Sequence, residues 1–187
     1  ATKTRIYTEL LVRGQRPFRA GVLPLLRAAR GAGLKLAIAS TTTSANVSAL
    51  LQAYLGPASG IVFDVIACGD QVRAKKPAPD LSRLALAPLG LQPEQAGALE
   101  AAVNGLRSAT GAGLWTLVTP TFWTEGGDFT AAGLVLPGLG EPDAPLPGEP
   151  GCQLRTTGWL RFNELCALAS PPPTLTPLQA LYRGLTT

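Results

Sequence analysis

The feature that most constrains this fold is a pair of short apolar runs, each followed by a helix-like stretch. The run "LKLAIAS" ends in a hydroxyl residue at Ser40, and "IVFDVIACGD" ends at Asp70. Runs without polar alternation are typical of parallel strands that are buried on both faces. Helix-like stretches of about 10 to 15 residues between such runs indicate βαβ units. The sequence therefore predicts an α/β fold with a mainly parallel, Rossmann-like sheet.

The other elements follow the same alternation. Three further strands are predicted in "QAGALE", "LWTLVTP" and "AGLVLP". Helices are predicted in "GVLPLLRAARGAG", "TTTSANVSALLQAYLG", "PAPDLSRLALAPLGL", "NGLRSATGAG" and "GWLRFNELCALAS". We expect Asp80 to cap the third of these helices and a turn at Asn104-Gly105 to open the fourth. Ligands of such sheets gather at the carboxyl ends of the strands, so the candidate site belongs there.

Composition excludes several classes of function. Histidine is absent, which removes Ser-His-Asp and Cys-His catalysis and most catalytic zinc sites. The three cysteines form no C-x-x-C pair, and we expect buried free thiols. The net charge of +4 comes from scattered basic residues, so we expect no nucleic-acid partner. No apolar run reaches the length of about 18 residues that a membrane span needs.

Three strand ends carry residues suited to binding an anion. Ser40 and Thr41 end the first strand just before a helix, where hydroxyls and backbone N–H groups suit a phosphate, although they also serve as helix caps. Lys76 follows the second strand and offers a point charge for a phosphate or carboxylate. Glu100 ends the third strand. We therefore expect these side chains to share one edge of the sheet.

Three stretches together resemble the haloacid dehalogenase (HAD) superfamily, and within it the CbbY-type sugar-bisphosphate phosphatases, including plastid forms. They are "GVLPLLRAARGAGLKLAIASTTT", "FDVIACGDQVRAKKPAPD" and "ALEAAVNGLRSATGAGLWTLVTPTFWTEGGDF". The resemblance covers roughly residues 1 to 170. It implies Mg²⁺-dependent phosphoryl transfer with an aspartate nucleophile in a D-x-D motif. It also implies that Ser40 holds the phosphate, that Lys76 steadies it, and that an acidic pair beginning at Glu100 anchors the metal.

The sequence departs from the family pattern at the places where the chemistry resides. No D-x-D motif occurs among the five aspartates. Ala101 stands where the metal-binding acid of the pair belongs, and alanine offers Mg²⁺ no side-chain oxygen. We therefore expect no active catalytic residue, a relict phosphate site at Ser40, Thr41 and Lys76, a relict metal region at Glu100 and Ala101, and no cofactor. The alternative is that Asp70 or Glu100 has taken over the metal.

The resemblance also implies that the central strand and most of the cap domain are missing from this chain. We expect residues 1–19 to be a remnant cap or linker helix and 20–136 to be the HAD-like core. Residues 137–170 should form a Pro/Gly-rich loop and the last core helix, with 171–187 as a tail. The strands ending at Ser40 and Glu100 would then have unpaired edges, so either the two halves close up or a partner supplies a strand.

Three functions follow from these expectations. The first is a catalytically degenerate HAD-like domain acting as a structural or accessory subunit of a larger, organellar assembly. The alternative is a Mg²⁺-dependent sugar-phosphate phosphatase of CbbY type recorded without its N-terminal catalytic segment. The third is a binding module that senses a phosphorylated metabolite. The resemblance to plastid forms, together with the absence of methionine, predicts a chloroplast location.

Overall fold

A computed structural model describes residues 18–56, 62–146 and 158–169. Five strands and five α-helices lie in these ranges, joined by 3₁₀ turns at Ala87–Leu89 and Pro93–Gln95. The strands are β1 (Ala37–Ser40), β2 (Val65–Cys68), β3 (Gly97–Glu100), β4 (Trp115–Val118) and β5 (Leu134–Val135). The helices are α1 (Val22–Gly31), α2 (Ser44–Leu55), α3 (Asp80–Leu86), α4 (Val103–Gly111) and α5 (Phe162–Leu168).

The strands form two separate parallel sheets. One holds β1 beside β2, and the other has the order β3-β4-β5. In the first sheet Ile38 lies opposite Ile66, and in the second Leu99 lies opposite Leu117. The β1–β2 pair is joined by a crossover through α2 and the β3–β4 pair by one through α4, whereas residues 119–133 connect β4 to β5 without a helix. The predicted α/β fold with a mainly parallel sheet is confirmed.

Helices α3 and α4 form one layer that covers the same side of both sheets. Ala39 of β1 packs with Leu81 of α3, and Ala98 of β3 packs with Ala109 of α4. The two helices contact each other directly. A buried pair of hydroxyls joins them, because Ser82 Oγ lies 3.1 Å from Ser108 Oγ. The helix layer therefore holds two sheets that share no ladder in the described residues.

The opposite sides of the two sheets are covered by different helices. On the first sheet, Val47 and Leu51 of α2 pack against Ile38 and Cys68. On the second, Leu25 of α1 packs with a larger apolar cluster drawn from β4, β5 and the chain that follows them. Its other buried members are Leu117, Leu134, Leu136, Leu139 and Leu160. On the side opposite α3 and α4, the hydrophobic core therefore consists of two separate clusters, one against each sheet.

Two strand edges lack a partner among the described residues. β1 pairs with β2 alone, and β3 pairs with β4 alone. The effect on side chains is clear at Leu99, which is 50% exposed although its register partner Leu117 is fully buried. The two halves of the sheet therefore do not close up against each other, and a break lies between β1 and β3.

Two local predictions are wrong. Pro79, not Asp80, occupies the N-cap of α3, and Asp80 is the first helical residue. Asn104 and Gly105 lie inside the first turn of α4, which begins at Val103, so they form no separate turn. In both cases the helix begins one residue earlier than the turn chemistry suggests.

Parts of the predicted domain division lie outside the described residues. These are residues 1–17 of the predicted cap remnant, 57–61 of the predicted core, 147–157 and 170 of the predicted loop and last helix, and the 171–187 tail. The division itself stays a prediction. Within the described ranges, no helix is both long and apolar enough to cross a bilayer.

Asp64 ties the start of β1 to the start of β2. Its carboxylate accepts a hydrogen bond from the Leu36 backbone N–H and from Arg30 Nη1, both at 2.7 Å. In return the Asp64 N–H donates to the Leu36 carbonyl at 2.8 Å. The bond from the Leu36 N–H, followed by the Arg30 guanidinium, holds the pKa of Asp64 below its usual value.

Replacing Asp64 with Asn should destabilise the protein by about 1 kcal/mol at neutral pH, since a charge-assisted backbone bond is weakened at a partly exposed site. A lowered folded pKa means that this stabilisation is present above the unfolded pKa of about 3.9 and disappears as the pH falls through the folded pKa. Urea unfolding of both proteins between pH 7 and pH 2 checks this. Asp143→Asn, on an exposed loop, is the control. A pH-independent difference would contradict the assignment.

Candidate functional site

The candidate site lies at the carboxyl edge shared by the two sheets. Ser40 ends β1, and Glu100 ends β3. Lys76 lies on the loop that follows β2, and the loop after β4 begins at Thr119. Parallel strands bring their carboxyl ends to one edge, and ligands of open α/β sheets bind there. The structure therefore places the sequence-predicted residues along this edge.

An ion pair between Lys76 and Glu100 joins the two halves of this edge. Lys76 Nζ donates to Glu100 Oε1 at 2.5 Å, and the two side chains are only 10% and 17% exposed. Removing either charge alone would leave the other in a poorly solvated position. An ammonium group has three donors, so Lys76 retains the capacity to bind a second acceptor while it holds Glu100.

Gly105 makes room for the Glu100 carboxylate. A Cβ built on Gly105 would overlap Glu100 Oε2 and Cδ, and Gly105 is buried within the first turn of α4. The carboxylate therefore lies directly against the helix backbone, which only glycine permits at this distance. In the sequence, the Asn104-Gly105 pair predicts a turn, and nothing in it indicates that Gly105 leaves space for a carboxylate.

The hydroxyl segment after β1 lies at the N-terminus of α2. Thr43 is the N-cap, and its Oγ1 accepts from the Asn46 N–H at 3.4 Å. Ser40 Oγ accepts from the Thr42 N–H at 3.4 Å. A hydroxyl oxygen that accepts can still donate its own proton, so Ser40 keeps a donor for an anion. Thr41, which is exposed, follows directly.

The Asp70 carboxylate also binds the N-terminus of α2. Its carboxylate accepts from the Ser44 N–H at 3.2 Å and from Ser44 Oγ at 3.0 Å. These bonds, the backbone one first, hold the pKa of Asp70 below its usual value. Asp70 thus stabilises the start of α2, which is a different role from the metal ligand considered as an alternative.

Ala101 is fixed by a threonine turn that the sequence did not reveal. Thr124 Oγ1 donates to the Ala101 carbonyl at 2.6 Å, and the Thr121 N–H donates to the same Thr124 hydroxyl at 2.8 Å. The Arg19 guanidinium holds the strand end before this turn, donating to the Thr119 carbonyl at 2.8 Å. The loop after β3 is therefore tied to the loop after β4.

The described residues do not form a magnesium site by themselves. No three His, Cys, Asp or Glu side chains within the described ranges cluster as metal ligands. Glu100 is held by Lys76, and Ala101 contributes only a carbonyl oxygen that already accepts from Thr124. Mg²⁺ prefers an octahedral set of hard oxygens. The described residues therefore bring no set of three acidic side chains together for such an ion.

The aromatic residues divide between core and surface. Trp115 packs against the apolar cluster below β4, and Trp159 lies under the Arg161 guanidinium at 5.1 Å. Phe122 and Trp123 are 81% and 88% exposed and meet edge to face. Trp123 borders an open cleft together with Asn104 and Glu125. Of the cysteines in the described ranges, Cys68 is a buried free thiol, as predicted, and Cys166 is half-buried.

Gly105→Ala should lower the free energy of unfolding by about 1 to 3 kcal/mol, even though alanine is the better helix former, because the methyl group displaces the Glu100 carboxylate. Gly111→Ala is the matched control in the same helix. A Cβ there would make an ordinary 3.5 Å contact with Pro79. Thermal and urea unfolding of both variants checks this. An equal stabilisation of both would contradict the proposed seat for Glu100.

The coupling between Lys76 and Glu100 can be measured with a double-mutant cycle. Lys76→Met and Glu100→Gln should each destabilise the chain by about 2 kcal/mol or more, because each leaves one buried polar group uncompensated. The double variant should lose less than the sum, by about 1 to 2 kcal/mol. Additive losses from urea unfolding would show that the pair contributes nothing to stability.

Comparison with known proteins places this architecture among hydrolases. A model of the haloacid dehalogenase-like hydrolase family matches residues 1–113. The chain is 45% identical to protein CbbY of Cereibacter sphaeroides over 139 residues, 74% of this chain and 60% of that protein. It is 34% identical to a CBBY-like protein of Arabidopsis thaliana, over 75% of this chain and 44% of that protein.

Solved structures agree. A crystal structure of a CbbY mutant from Rhodobacter sphaeroides, in complex with xylulose-(1,5)bisphosphate, superposes with a TM-score of 0.72. The two chains are 44% identical, with 75% of this chain and 62% of the other covered. The chain thus spans about three-fifths of the length of its bacterial CbbY relatives. It belongs to the haloacid dehalogenase-like hydrolase family, with the CbbY proteins among its relatives.

Proposed function

We propose that this chain forms the phosphate-holding part of a Mg²⁺-dependent phosphatase that acts on phosphorylated sugars. The observation that carries the proposal is the Lys76 ammonium, which Glu100 holds at the carboxyl end of β3, together with Ser40 at the carboxyl end of β1 in the other parallel sheet. The sequence analysis gives this phosphatase as the alternative to a degenerate domain with an accessory role. Similarity to CbbY along three-quarters of the chain supports the phosphatase better.

The geometry suits a phosphate monoester. Phosphoryl transfer depends on positioning and on neutralising charge at the phosphoryl oxygens. Lys76 supplies a positive charge with donors to spare, and Ser40 and Thr41 supply hydroxyls beside the N-terminus of α2. A relative crystallised with a sugar bisphosphate makes that class of ligand the first to test.

The chemistry itself would need residues beyond those described. The 187 residues contain no D-x-D motif, and Ala101 provides no metal ligand. The proposal therefore gives this chain the binding and orientation of the phosphate, and gives the nucleophile to an aspartate-bearing segment outside the sequence. Mg²⁺, when bound, would neutralise phosphoryl charge.

Ala101 favours a second candidate, the degenerate domain that serves as an accessory subunit or as a sensor of a phosphorylated metabolite. In that case Ser40 and Lys76 would bind an anion without any turnover. A chloroplast location is part of the same proposal, motivated by similarity to the CBBY-like protein of Arabidopsis thaliana.

Anion binding by the 187-residue chain is the first test. Calorimetry with xylulose 1,5-bisphosphate and with inorganic phosphate should show binding that Lys76→Met weakens about tenfold or more and Ser40→Ala about fivefold, the loss of a charge and of one hydrogen bond respectively. Lys75→Met, at the exposed neighbouring lysine, should leave the affinity within about twofold. Absence of binding, or equal losses at both lysines, would contradict the proposal.

Turnover separates the two candidates. The complete gene product, assayed with Mg²⁺ and the same bisphosphate, should release phosphate at a rate that Lys76→Ala reduces by about 10²-fold or more. Phosphate binding without release of product would reject the phosphatase and support the degenerate domain.

A further inference from the structure

The turn that carries Lys76, which runs from Lys75 to Ala78 and is called here the Lys76 turn, has few backbone donors. The Ala78 N–H donates to the Lys75 carbonyl at 3.0 Å and closes the turn. Pro77 and Pro79 have no N–H, so the Ala78 N–H is the only backbone donor among these three consecutive residues. Because that donor is used inside the turn, the three residues can form hydrogen bonds to neighbouring elements only through their backbone carbonyls.

Ser108 of α4 supplies the donor for one of these carbonyls. Its hydroxyl is fully buried and donates to the Ala78 carbonyl at 2.8 Å. A hydroxyl has one proton, so the Ser82 hydroxyl of α3, which lies 3.1 Å from Ser108 Oγ, must donate to Ser108 and not accept from it. Ser108 is therefore the member of this buried pair whose proton binds the Lys76 turn, whereas the proton of Ser82 joins α3 to α4.

The same helix also holds the other end of the Lys76 side chain. Lys76 Nζ donates to Glu100 Oε1, and the Glu100 carboxylate lies against Gly105 in the first turn of α4. Gly105 and Ser108 are three residues apart in this helix, so they are neighbours on one of its faces. One face of α4 thus fixes both the backbone beside Lys76, through Ser108, and the ammonium group, through Glu100.

We propose that Ser108 is a positioning residue for Lys76. Its hydrogen bond to the Ala78 carbonyl holds the Lys76 turn on α4 and keeps the Lys76 ammonium beside Glu100, where an anion at the carboxyl edge reaches it. Loss of the hydroxyl leaves the Ala78 carbonyl without this donor, and the turn then shifts to reach another donor or water. The part of the inference that concerns an anion rests on the proposed function, whereas the placement of Lys76 does not.

A serine that only joins two helices would behave differently from one that positions Lys76. Ser82→Ala removes the hydrogen bond between α3 and α4 but keeps the one from Ser108 to the Ala78 carbonyl, whereas Ser108→Ala removes both. Each substitution exchanges a buried serine for alanine, so both should lower Tm. Only Ser108→Ala should change how Lys76 is held, and Ser82→Ala is therefore the matched control.

Reductive methylation of lysines in the 187-residue chain, read by mass spectrometry, tests the placement of Lys76 without any anion. The Lys76 side chain is 10% exposed, and the exposed Lys75 beside it is the internal reference. In Ser108→Ala the methylation rate of Lys76 relative to Lys75 should rise about fivefold or more, and in Ser82→Ala by no more than about twofold. Ser108→Cys, whose thiol is a weak donor, replaces the alanine variant if that one does not fold. No rise in the Ser108 variant, or an equal rise in Ser82→Ala, would overturn the proposal.

Calorimetry with inorganic phosphate tests whether this placement matters for an anion. Ser108→Ala should weaken phosphate binding by about threefold to tenfold, and Ser82→Ala by no more than about twofold. In a Lys76→Met background, Ser108→Ala should cost no more than about twofold, because its effect passes through Lys76. An undiminished loss in that background would overturn the proposal. If phosphate does not bind at all while the Lys76 methylation rates change as expected, the proposed function is rejected and the placement of Lys76 by Ser108 is supported.

Discussion

The ion pair between Lys76 and Glu100 is the interaction on which the arrangement of the site depends. It is the link between the carboxyl ends of two sheets that share no backbone ladder in the described residues. Beneath it, the buried contact between Ser82 and Ser108 joins the helices that carry the two sheets. Because both partners of the ion pair are largely shielded from water, its geometry is held firmly, and the orientation of one sheet end relative to the other follows from it.

This arrangement separates holding a phosphate from transferring it. Lys76 and Ser40 are groups that stabilise an anion whether or not a reaction follows. The groups that would make and break bonds, an aspartate nucleophile and a set of metal-binding carboxylates, are not assembled by the described residues. Family membership thus establishes the fold, whereas the proposed activity also requires an aspartate nucleophile and metal-binding carboxylates that the described residues do not supply.

The sequence predicted the fold well because burial on both faces leaves a strong signal. The apolar runs around Ile38 and Ile66 fell in the predicted strands, and "GVLPLLRAARGAG" contained α1. Helix starts were less certain, since Pro79 displaced Asp80 from the cap. The contacts that shape the site were beyond prediction, because they join residues distant in the chain. Arg19 donates a hydrogen bond to Thr119, and Thr124 donates one to Ala101. No local sequence pattern indicates either hydrogen bond.

The central claim is that β1 and β3 are not neighbours in this chain, so the sheet is interrupted at its middle. Backbone NOEs of the isotope-labelled 187-residue protein test it most directly. Strand pairing brings backbone protons on neighbouring strands within about 5 Å, so cross-strand NOEs should link Ile38 with Ile66 and Leu99 with Leu117. None should link Ile38 with Leu99. Backbone NOEs between β1 and β3 would show that the two halves close up, and would contradict the account.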